Sequence, residues 1–196
     1  MPAQSGFHAD SISRALLAKM QGVTWHAGCP LTPADLRVLT IAFLDYNKST
    51  QSGLLIVHKD VATEVLAIFE DLYRQEFQIA RMTPIEEFGG SDNRSMAANN
   101  TSAFNCRDIT GQAGKFSNHS WGRAIDINPL TNPYVKGVTV LPPEGRRYLD
   151  RNKAGTGSIL GGSLTVKRFQ QSGWLWGGGW ADRKDYQHFE KPQPGK

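Results

Sequence analysis

Two short segments, 117–126 and 185–190, constrain the fold more than any other feature of this sequence. The first reads SNHSWGRAID and the second DYQHFE, so together they hold two histidines and several carboxylates. Imidazole and carboxylate groups suit a zinc ion, which takes three protein ligands in a catalytic site and keeps a fourth position open. A single centre built from both segments requires a fold that brings two distant parts of the chain together.

The first segment can supply two ligands from a turn that leads into a strand. His119 and Asp126 lie at the two ends of this region, and Gly122 lets the backbone bend between them. Ala124 and Asp126 share one face of a strand because side chains alternate, and the small alanine leaves room beside the site. His188, on a second strand, is the third candidate ligand. The predicted ligand set is therefore two nitrogens and one oxygen.

A hydrolytic metal centre also needs a general base for its water. Asp185 lies three residues before His188 and can reach the open position if the chain turns there, whereas Asp182 is a rival with less suitable spacing. Glu190 shares a strand face with His188, so it can accept a hydrogen bond from the other ring nitrogen of a histidine ligand.

A simpler interpretation of these residues also stays open. In it, His119 and His188 are two unrelated histidines with separate partners, and Asp126 and Asp185 cap turns. The remaining histidines show no partner spacing and are expected to be surface or core residues: His8, His26 and His58.

Local patterns predict helices in the first half of the chain. Residues 10–20 read as an amphipathic helix capped by Asp10 or Ser11. Residues 32–35 (TPAD) have the residue types of a helix start, and helical apolar spacing follows through residue 46.

Strands are expected mainly in the second half. The further predicted elements are a buried strand at 53–57, a helix from 60 to about 75, a strand at 77–82, a long loop at 89–117, a strand at 122–127, a surface excursion at 129–163, a helix at 164–171 and a last strand at 186–190. Early helices and late strands favour an α+β fold over a βαβ alternation.

Composition excludes several classes of protein. The 196 residues correspond to about one domain. With 20% charged and 39% hydrophobic residues, the chain is neither a disordered tail nor a membrane protein, and no apolar run could form a spanning helix. The net charge of +4 suits an anionic partner such as a cell-wall polymer or a nucleic acid, but a charge this small selects neither. Because no clustered Lys/Arg stripe accompanies this charge, we expect no nucleic-acid partner.

The two cysteines leave the redox environment open. Cys29 and Cys106 lack the C-x-x-C spacing of a zinc cluster. They can form one disulfide, which would imply an oxidising compartment, or remain as two buried thiols. The first residues contain no apolar segment after a basic start and are not a secretory signal as written. Export would need a signal that has been removed, or another route.

The two site segments resemble those of the zinc D-alanyl-D-alanine carboxypeptidases and L-alanyl-D-glutamate endopeptidases, a family that includes VanY- and VanX-like enzymes and several phage endolysins. The shared pattern is S-x-H-x-x-G-x-A-x-D, followed later by D-x-x-H. The likeness extends over roughly residues 20–190 and is carried by NRSMAANNTSAFNCR, SNHSWGRAIDINPLTNPYV, GWLWGGGW and DYQHFE. The flanking segments look most like the VanY-like carboxypeptidase branch.

This resemblance implies a single α+β domain of the hedgehog/DD-peptidase-like type. In such a fold a small antiparallel sheet carries the zinc site and helices pack on it. The catalytic domain would span residues 21–192, after an N-terminal helical extension at 1–20 and before a tail at 193–196 that is expected to fray.

The resemblance also implies the roles of individual residues. One Zn²⁺ would be held by His119, Asp126 and His188, and Asp185 would be the catalytic acid/base. The substrate would be the stem peptide of peptidoglycan. Removal of its terminal D-Ala is the favoured reaction, and cleavage between L-Ala and D-Glu or a non-catalytic zinc-containing wall-binding role are the alternatives. Such a protein would act in the periplasm or cell wall.

Four further residues are candidates for substrate contacts. For the arginine that polarises the scissile carbonyl in this family, Arg94 matches best and Arg107 is the second candidate. Ser117 is expected to bind the substrate or to cap the turn. Trp176, in GWLWGGGW, would line the substrate cleft or pack in the core.

Overall fold

The computed structural model describes residues 6–109, 112–153 and 155–193, which form one α+β domain. The α-helices are α1 Arg14–Met20, α2 Ala62–Arg74, α3 Asp92–Ala97 and α4 Leu164–Gln171. The strands are β1 Phe7–Ser11, β2 Leu36–Leu44, β3 Thr50–His58, β4 Arg81–Met82, β5 Asn100–Thr101, β6 Asp108–Ile109, β7 Gln112–Phe116, β8 Ala124–Asp126, β9 Tyr134–Lys136, β10 Thr139–Leu141, β11 Leu175–Trp176, β12 Lys184–Asp185 and β13 His188–Glu190. The predicted fold class is confirmed.

The N-terminal part is an antiparallel sheet in the order β1-β2-β3. On β2, Leu39, Ile41 and Phe43 alternate toward one face, where they pack with the buried side of α2. Leu36 lies in a second cluster together with Ile56 of β3. The sheet therefore separates two apolar clusters, and its central strand is apolar on both faces.

The predicted helix at 32–46 is wrong. Residues Pro33–Asp35 form a 3-10 helix with the expected capping box, but the chain then enters β2. Leu36, Leu39 and Phe43 satisfy helical spacing as well as a two-sided strand. Pairing with β1 and β3 decides in favour of the strand, because it satisfies the backbone on both sides.

The predicted helix at 10–20 begins too early. Its first residues belong to β1, which pairs antiparallel with β2, and the helix begins at Arg14 with Ser13 as its N-cap. Met20 ends the helix fully buried. The domain boundary expected after residue 20 stays a prediction, as does the fraying of the tail, whose residues 194–196 lie outside the described part of the chain.

The predicted strand at 53–57 is confirmed within β3, and the helix expected from residue 60 is confirmed as a 3-10 turn leading into α2. The helix at 164–171 is confirmed as α4. The strands predicted at 77–82, 122–127 and 186–190 are shorter than expected. The region 89–117, predicted as a loop, contains α3 and the short strands β5 to β7.

Two small antiparallel sheets in the C-terminal half position the candidate site. One has the order β11-β13-β8 and the other the order β10-β9-β12. The apolar cluster formed by α2 and the Leu39 face of β2 is the main core of the domain. Ile125 of β8 and Phe189 of β13 are fully buried in it, and Phe189 stacks there on Phe169 of α4. Because neighbouring side chains alternate on a strand, Asp126, His188 and their site-side neighbours face away from this core.

Cys29 and Cys106 form a disulfide with a Cα–Cα distance of 5.9 Å, so the first of the two alternatives for the cysteines is confirmed. This bond joins the loop after α1 to the segment that precedes β6. Within the described residues, every helix is too short or too polar to cross a membrane.

Candidate metal centre and active site

The position of His119 is set by a short 3-10 helix, Asn118–Trp121. Ser117 caps this helix, and its hydroxyl oxygen accepts a hydrogen bond from the His119 N–H at 3.3 Å. Gly122 ends it in the left-handed region, with φ +59°. A Cβ at this glycine would lie 2.5 Å from the backbone nitrogen of His58 on β3. Only glycine therefore fits this turn, as the sequence predicted from the need for a bend.

Strand pairing brings the other two candidate ligands together. β8 and β13 are antiparallel, with Asp126 directly opposite His188. One carboxylate oxygen of Asp126 lies 2.8 Å from His188 Nδ1, and the other lies 3.3 Å from His119 Nε2. All three candidate ligand atoms lie within 4.8 Å of one another, and all three side chains are largely buried. The interpretation of two unrelated histidines is therefore wrong.

Each candidate histidine ligand has one ring nitrogen that faces Asp126 (the inward nitrogen) and one that faces away from it (the outward nitrogen). The hydrogen bond of the outward nitrogen fixes the orientation of the ring. His119 Nδ1 lies 2.6 Å from the carbonyl oxygen of Ala103, and His188 Nε2 lies 3.1 Å from a carboxylate oxygen of Glu190. Because carbonyl and carboxylate oxygens only accept, both outward nitrogens carry protons. In the neutral rings the lone pairs of His119 Nε2 and His188 Nδ1 then face Asp126. Two imidazole lone pairs and one carboxylate at a common point could hold a metal ion.

Two further groups hold these acceptors in place. The side-chain amide of Asn118 donates to the same Glu190 oxygen at 2.6 Å. The segment that carries Ala103 is bridged to β8 by two backbone hydrogen bonds between Ser102 and Asp126, at 2.9 and 3.0 Å. The hydrogen-bond acceptors of both histidines are therefore held in place by residues that neighbour a candidate ligand in the chain or bond to one.

The pKa values reflect this concentration of charge. Burial opposes ionisation of Asp126, but the two neighbouring imidazoles outweigh it and lower the pKa of its carboxyl group. Burial likewise disfavours the charged imidazole of His188, yet hydrogen bonds to Asp126 and Glu190 raise its pKa to about 10. The environment therefore favours a positive charge next to the ionised Asp126 carboxylate, either a proton on His188 Nδ1 or a cation bound by the lone pair that remains when this proton leaves.

Asp185 lies beside this group on β12, opposite Tyr134 of β9. Burial raises the pKa of its carboxyl group to about 6; the charge of His188 works against this rise and that of Asp126 adds to it. One of its oxygens is buried without a hydrogen-bond partner among the described residues. A buried acceptor with a pKa near neutrality is what a general base requires.

Gly177 allows Asp185 to lie this close to the candidate ligands. A Cβ at this position would lie 2.8 Å from the Asp185 Cβ and 3.3 Å from the His188 Cβ. A larger residue would push β12 away from β13 and separate Asp185 from His188.

The structure distinguishes the two candidate arginines by their surroundings. The backbone N–H of Arg107 donates to the Ser120 hydroxyl at 2.8 Å, and that hydroxyl donates to the Arg107 carbonyl at 2.6 Å. Arg107 is thereby joined to the turn that holds His119, and its guanidinium pairs with Asp92 of α3. Arg94 lies on the exposed side of α3. The assignment of a catalytic arginine stays a prediction.

The two predicted substrate residues have structural partners. Ser117 caps the His119 turn, as described above. Trp176 is partly buried against the main core, and its indole N–H donates to the Tyr186 carbonyl at 3.0 Å. Their contacts with a substrate stay predictions.

Two contributors to the site were missed by the sequence analysis. The Ala103 carbonyl is a backbone group, so no side-chain pattern could reveal it. Asn118 lies next to His119, but its role depends on the pairing of two strands. Trp180 lies in the same GWLWGGGW segment as Trp176, whose aromatic residues were expected to line the cleft or to pack in the core. It packs on His188 with ring centroids 5.5 Å apart, and the Arg183 guanidinium lies 4.3 Å from the Trp180 ring centroid.

Comparison with known proteins gives one match. Residues 110–191 match a family model described as D-alanyl-D-alanine carboxypeptidase. The matched part contains all three candidate ligands and Asp185, whereas the disulfide and both candidate arginines lie outside it. No curated protein and no solved structure matches the chain. The match supports a peptidase, and over residues 110–191 the chain is similar to the D-alanyl-D-alanine carboxypeptidase family that the sequence motifs resemble.

Proposed function

We propose that this protein is a zinc peptidase that removes the terminal D-Ala from peptidoglycan stem peptides. One observation carries the proposal. His119 Nε2, His188 Nδ1 and a carboxylate oxygen of Asp126 lie within 4.8 Å of one another, beside a buried Asp185 oxygen that has no hydrogen-bond partner among the described residues. The family match over the same residues supports the class of reaction.

The donor set fits one zinc ion. His119, Asp126 and His188 would hold it through two nitrogens and one oxygen, the ligand number of a catalytic zinc site. When bound, zinc supplies a Lewis acid that polarises a carbonyl oxygen and lowers the pKa of a water molecule to about 7.

Asp185 moves the proton in the proposed reaction. Its carboxylate accepts a proton from the water that attacks the peptide carbonyl, and the same carboxyl group then donates that proton to the leaving amine. The raised pKa of about 6 suits both steps, because the group is ionised at neutral pH yet remains a usable acid. No acyl-enzyme forms, so serine-directed β-lactams should leave no covalent adduct detectable by mass spectrometry.

An arginine is proposed to stabilise the oxyanion of the tetrahedral intermediate. Arg94 is the first candidate from the sequence, and the hydrogen bonds between Arg107 and Ser120 bring the second candidate next to the His119 turn. Alanine variants of the two arginines decide between them: loss of kcat/KM with unchanged zinc content identifies the one that contacts the substrate.

The proposed location is the periplasm or cell wall. A disulfide is typical of oxidising compartments, which supports this location. The positive net charge suits an anionic wall.

Product analysis on defined peptidoglycan fragments tests the proposal. The purified protein is incubated with a pentapeptide stem, and products are identified by mass spectrometry with and without a zinc chelator. Chelator-sensitive release of D-Ala is the expected result. Cleavage between L-Ala and D-Glu would instead support the endopeptidase alternative. A protein that retains zinc and cleaves neither bond would be a non-catalytic wall-binding module.

A further inference from the structure

The disulfide between Cys29 and Cys106 lies against a histidine with a defined orientation. His26 begins a tight loop in which its N–H donates to the Cys29 sulfur at 3.1 Å, and the Cys29 N–H donates to the His26 carbonyl at 3.0 Å. The Gly28 N–H donates to His26 Nδ1 at 3.2 Å. Because Nδ1 accepts this bond, the neutral ring carries its proton on Nε2. That nitrogen lies 3.6 Å from the Cys106 sulfur.

The two sulfurs differ in their accessibility. Cys106 is 6% exposed and belongs to the second apolar cluster, whereas Cys29 is only partly buried, in an exposed loop. An incoming thiolate can therefore reach Cys29, and Cys106 is the sulfur placed to leave. A hydrogen bond from His26 Nε2 stabilises negative charge at that leaving sulfur.

We propose that Cys29–Cys106 is a thiol-exchange site that opens under a dithiol reductant. One thiolate of the reductant attacks the Cys29 sulfur, the bond between Cys29 and Cys106 breaks, and Cys106 leaves as a thiolate beside His26. The second thiol of the reductant then displaces Cys29 from the mixed disulfide. Two electrons pass from the dithiol to the protein, and the reductant becomes a cyclic or intramolecular disulfide.

The disulfide holds one end of the segment 103–107, which helps to position the candidate metal centre. The segment 103–107 contains the Ala103 carbonyl that orients His119, as well as the Arg107 backbone that is bonded to Ser120. The disulfide and one backbone bond, from the Cys106 N–H to the Thr24 carbonyl at 2.9 Å, tie this segment to the loop after α1. Reduction therefore removes the covalent link and leaves the backbone bond between Cys106 and Thr24 to hold the segment against this loop. This inference does not depend on the proposed peptidase activity.

The position of attack can be tested with glutathione, a monothiol that lacks the second thiol by which a dithiol resolves the mixed disulfide, so that the adduct can be trapped at early times. The full-length native protein is incubated with reduced glutathione, quenched with acid and alkylated, and its peptides are mapped by mass spectrometry. We expect glutathione on Cys29 and alkylation of Cys106. Glutathione predominantly on Cys106, or thiols released only after denaturation, would overturn the proposal.

The role of His26 is tested by the rate of opening with dithiothreitol. In His26→Asn, the shorter side chain can still accept from the Gly28 N–H but does not reach the Cys106 sulfur. We expect this variant to open at least about threefold more slowly, because the Cys106 thiolate then leaves without a hydrogen bond from His26. His8→Asn, on exposed β1, is the matched control and should keep the wild-type rate. Equal rates for wild type and His26→Asn would contradict the assignment.

Hydrogen exchange tests the coupling to the candidate site. On reduction of the wild type, we expect faster exchange of the amides at 103–107 and unchanged exchange in α2. Unchanged exchange at 103–107 would show that opening the disulfide leaves the segment in place, and would overturn that part of the proposal.

Discussion

At the scale of single residues, the candidate site depends on groups that differ mainly in what surrounds them. Asp126 and Asp185 are both buried carboxyl groups, yet their pKa values move in opposite directions. Asp126 lies between two imidazoles, which favour its charge. One oxygen of Asp185 has no hydrogen-bond partner in the described part of the chain, so the effect of burial on its pKa dominates. The same residue type therefore serves as a candidate ligand in one position and as a candidate base in the other.

Replacing the proposed base should remove activity without removing the metal. We expect Asp185→Asn to lower kcat/KM by about 10²–10⁴-fold, because an amide cannot accept the proton. The zinc content measured by elemental mass spectrometry should stay at the wild-type level. Asp182→Asn is the matched control, since Asp182 was the rival base; an equal loss of activity in that variant would contradict the assignment.

The pH dependence of the wild type follows from the same group. As the proposed base, Asp185 acts in its ionised form, and its pKa is raised to about 6, so kcat/KM should fall as the pH drops through about 6. The measurement is a pH profile of kcat/KM for D-Ala release. A profile that stays flat down to pH 4.5 would show that this carboxyl group is not the base.

The acceptor behind His188 is expected to control metal affinity. Glu190→Gln removes the charge that holds the Nε2 proton of His188, so zinc affinity should fall by about 10–100-fold. Competition with a chromophoric chelator measures the affinity. Glu144→Gln, an exposed glutamate on a 3-10 helix, is the control. Equal affinities in the two variants would mean that Glu190 does not position the histidine.

At the scale of elements, the site depends on a turn packed against the N-terminal sheet. Gly122 ends the His119 turn, and its carbonyl accepts from the His58 N–H at 2.9 Å. The turn is therefore tied to the end of β3. This contact explains how a sheet outside the matched residues contributes to the geometry of the candidate site.

Replacing Gly122 with alanine should destabilise the protein by more than the cost of its positive φ alone. Gly122 and Gly137 have similar φ values of +59° and +55°, but only Gly122 has backbone atoms where a Cβ would lie. We expect Gly137→Ala to cost about 1 kcal/mol and Gly122→Ala about 2–4 kcal/mol in the free energy of unfolding. Urea denaturation measures both. Equal costs would show that the turn moves away from β3 without penalty.

At the scale of the whole molecule, the main core joins the two halves of the chain. Phe169 of α4 contacts Phe69 of α2, Trp174 and Phe189, so residues from the first half and from the site sheet share one aromatic cluster. The core that supports β13 is therefore also the core that covers the N-terminal sheet.

Replacing Phe169, the residue at the centre of this aromatic cluster, should lower the stability of the whole domain. We expect Phe169→Ala to lower the free energy of unfolding by about 3–5 kcal/mol. Far-ultraviolet circular dichroism and tryptophan fluorescence should report a single coincident transition, as expected for one cooperative unit. Leu164→Ala, at a position 62% exposed on the same helix, is the control. Separate transitions would show that the halves unfold independently.

The sequence alone determined those features that depend on neighbouring residues. Local apolar patterns predicted the helices α2 and α4, and the glycine at position 122 predicted the bend between His119 and Asp126. The pattern of both site segments was sufficient for the resemblance that the match over residues 110–191 confirms.

Only the tertiary structure decided the rest, because those features depend on partners far along the chain. The apolar residues from Leu36 to Phe43 fit a helix and a two-sided strand equally well, and strands on both sides of β2 selected the strand. Likewise, the pairing of β8 with β13 placed Asp126 opposite His188, and a backbone carbonyl at Ala103 oriented His119. Local sequence sets which chemical groups are available, while long-range pairing sets which of them meet.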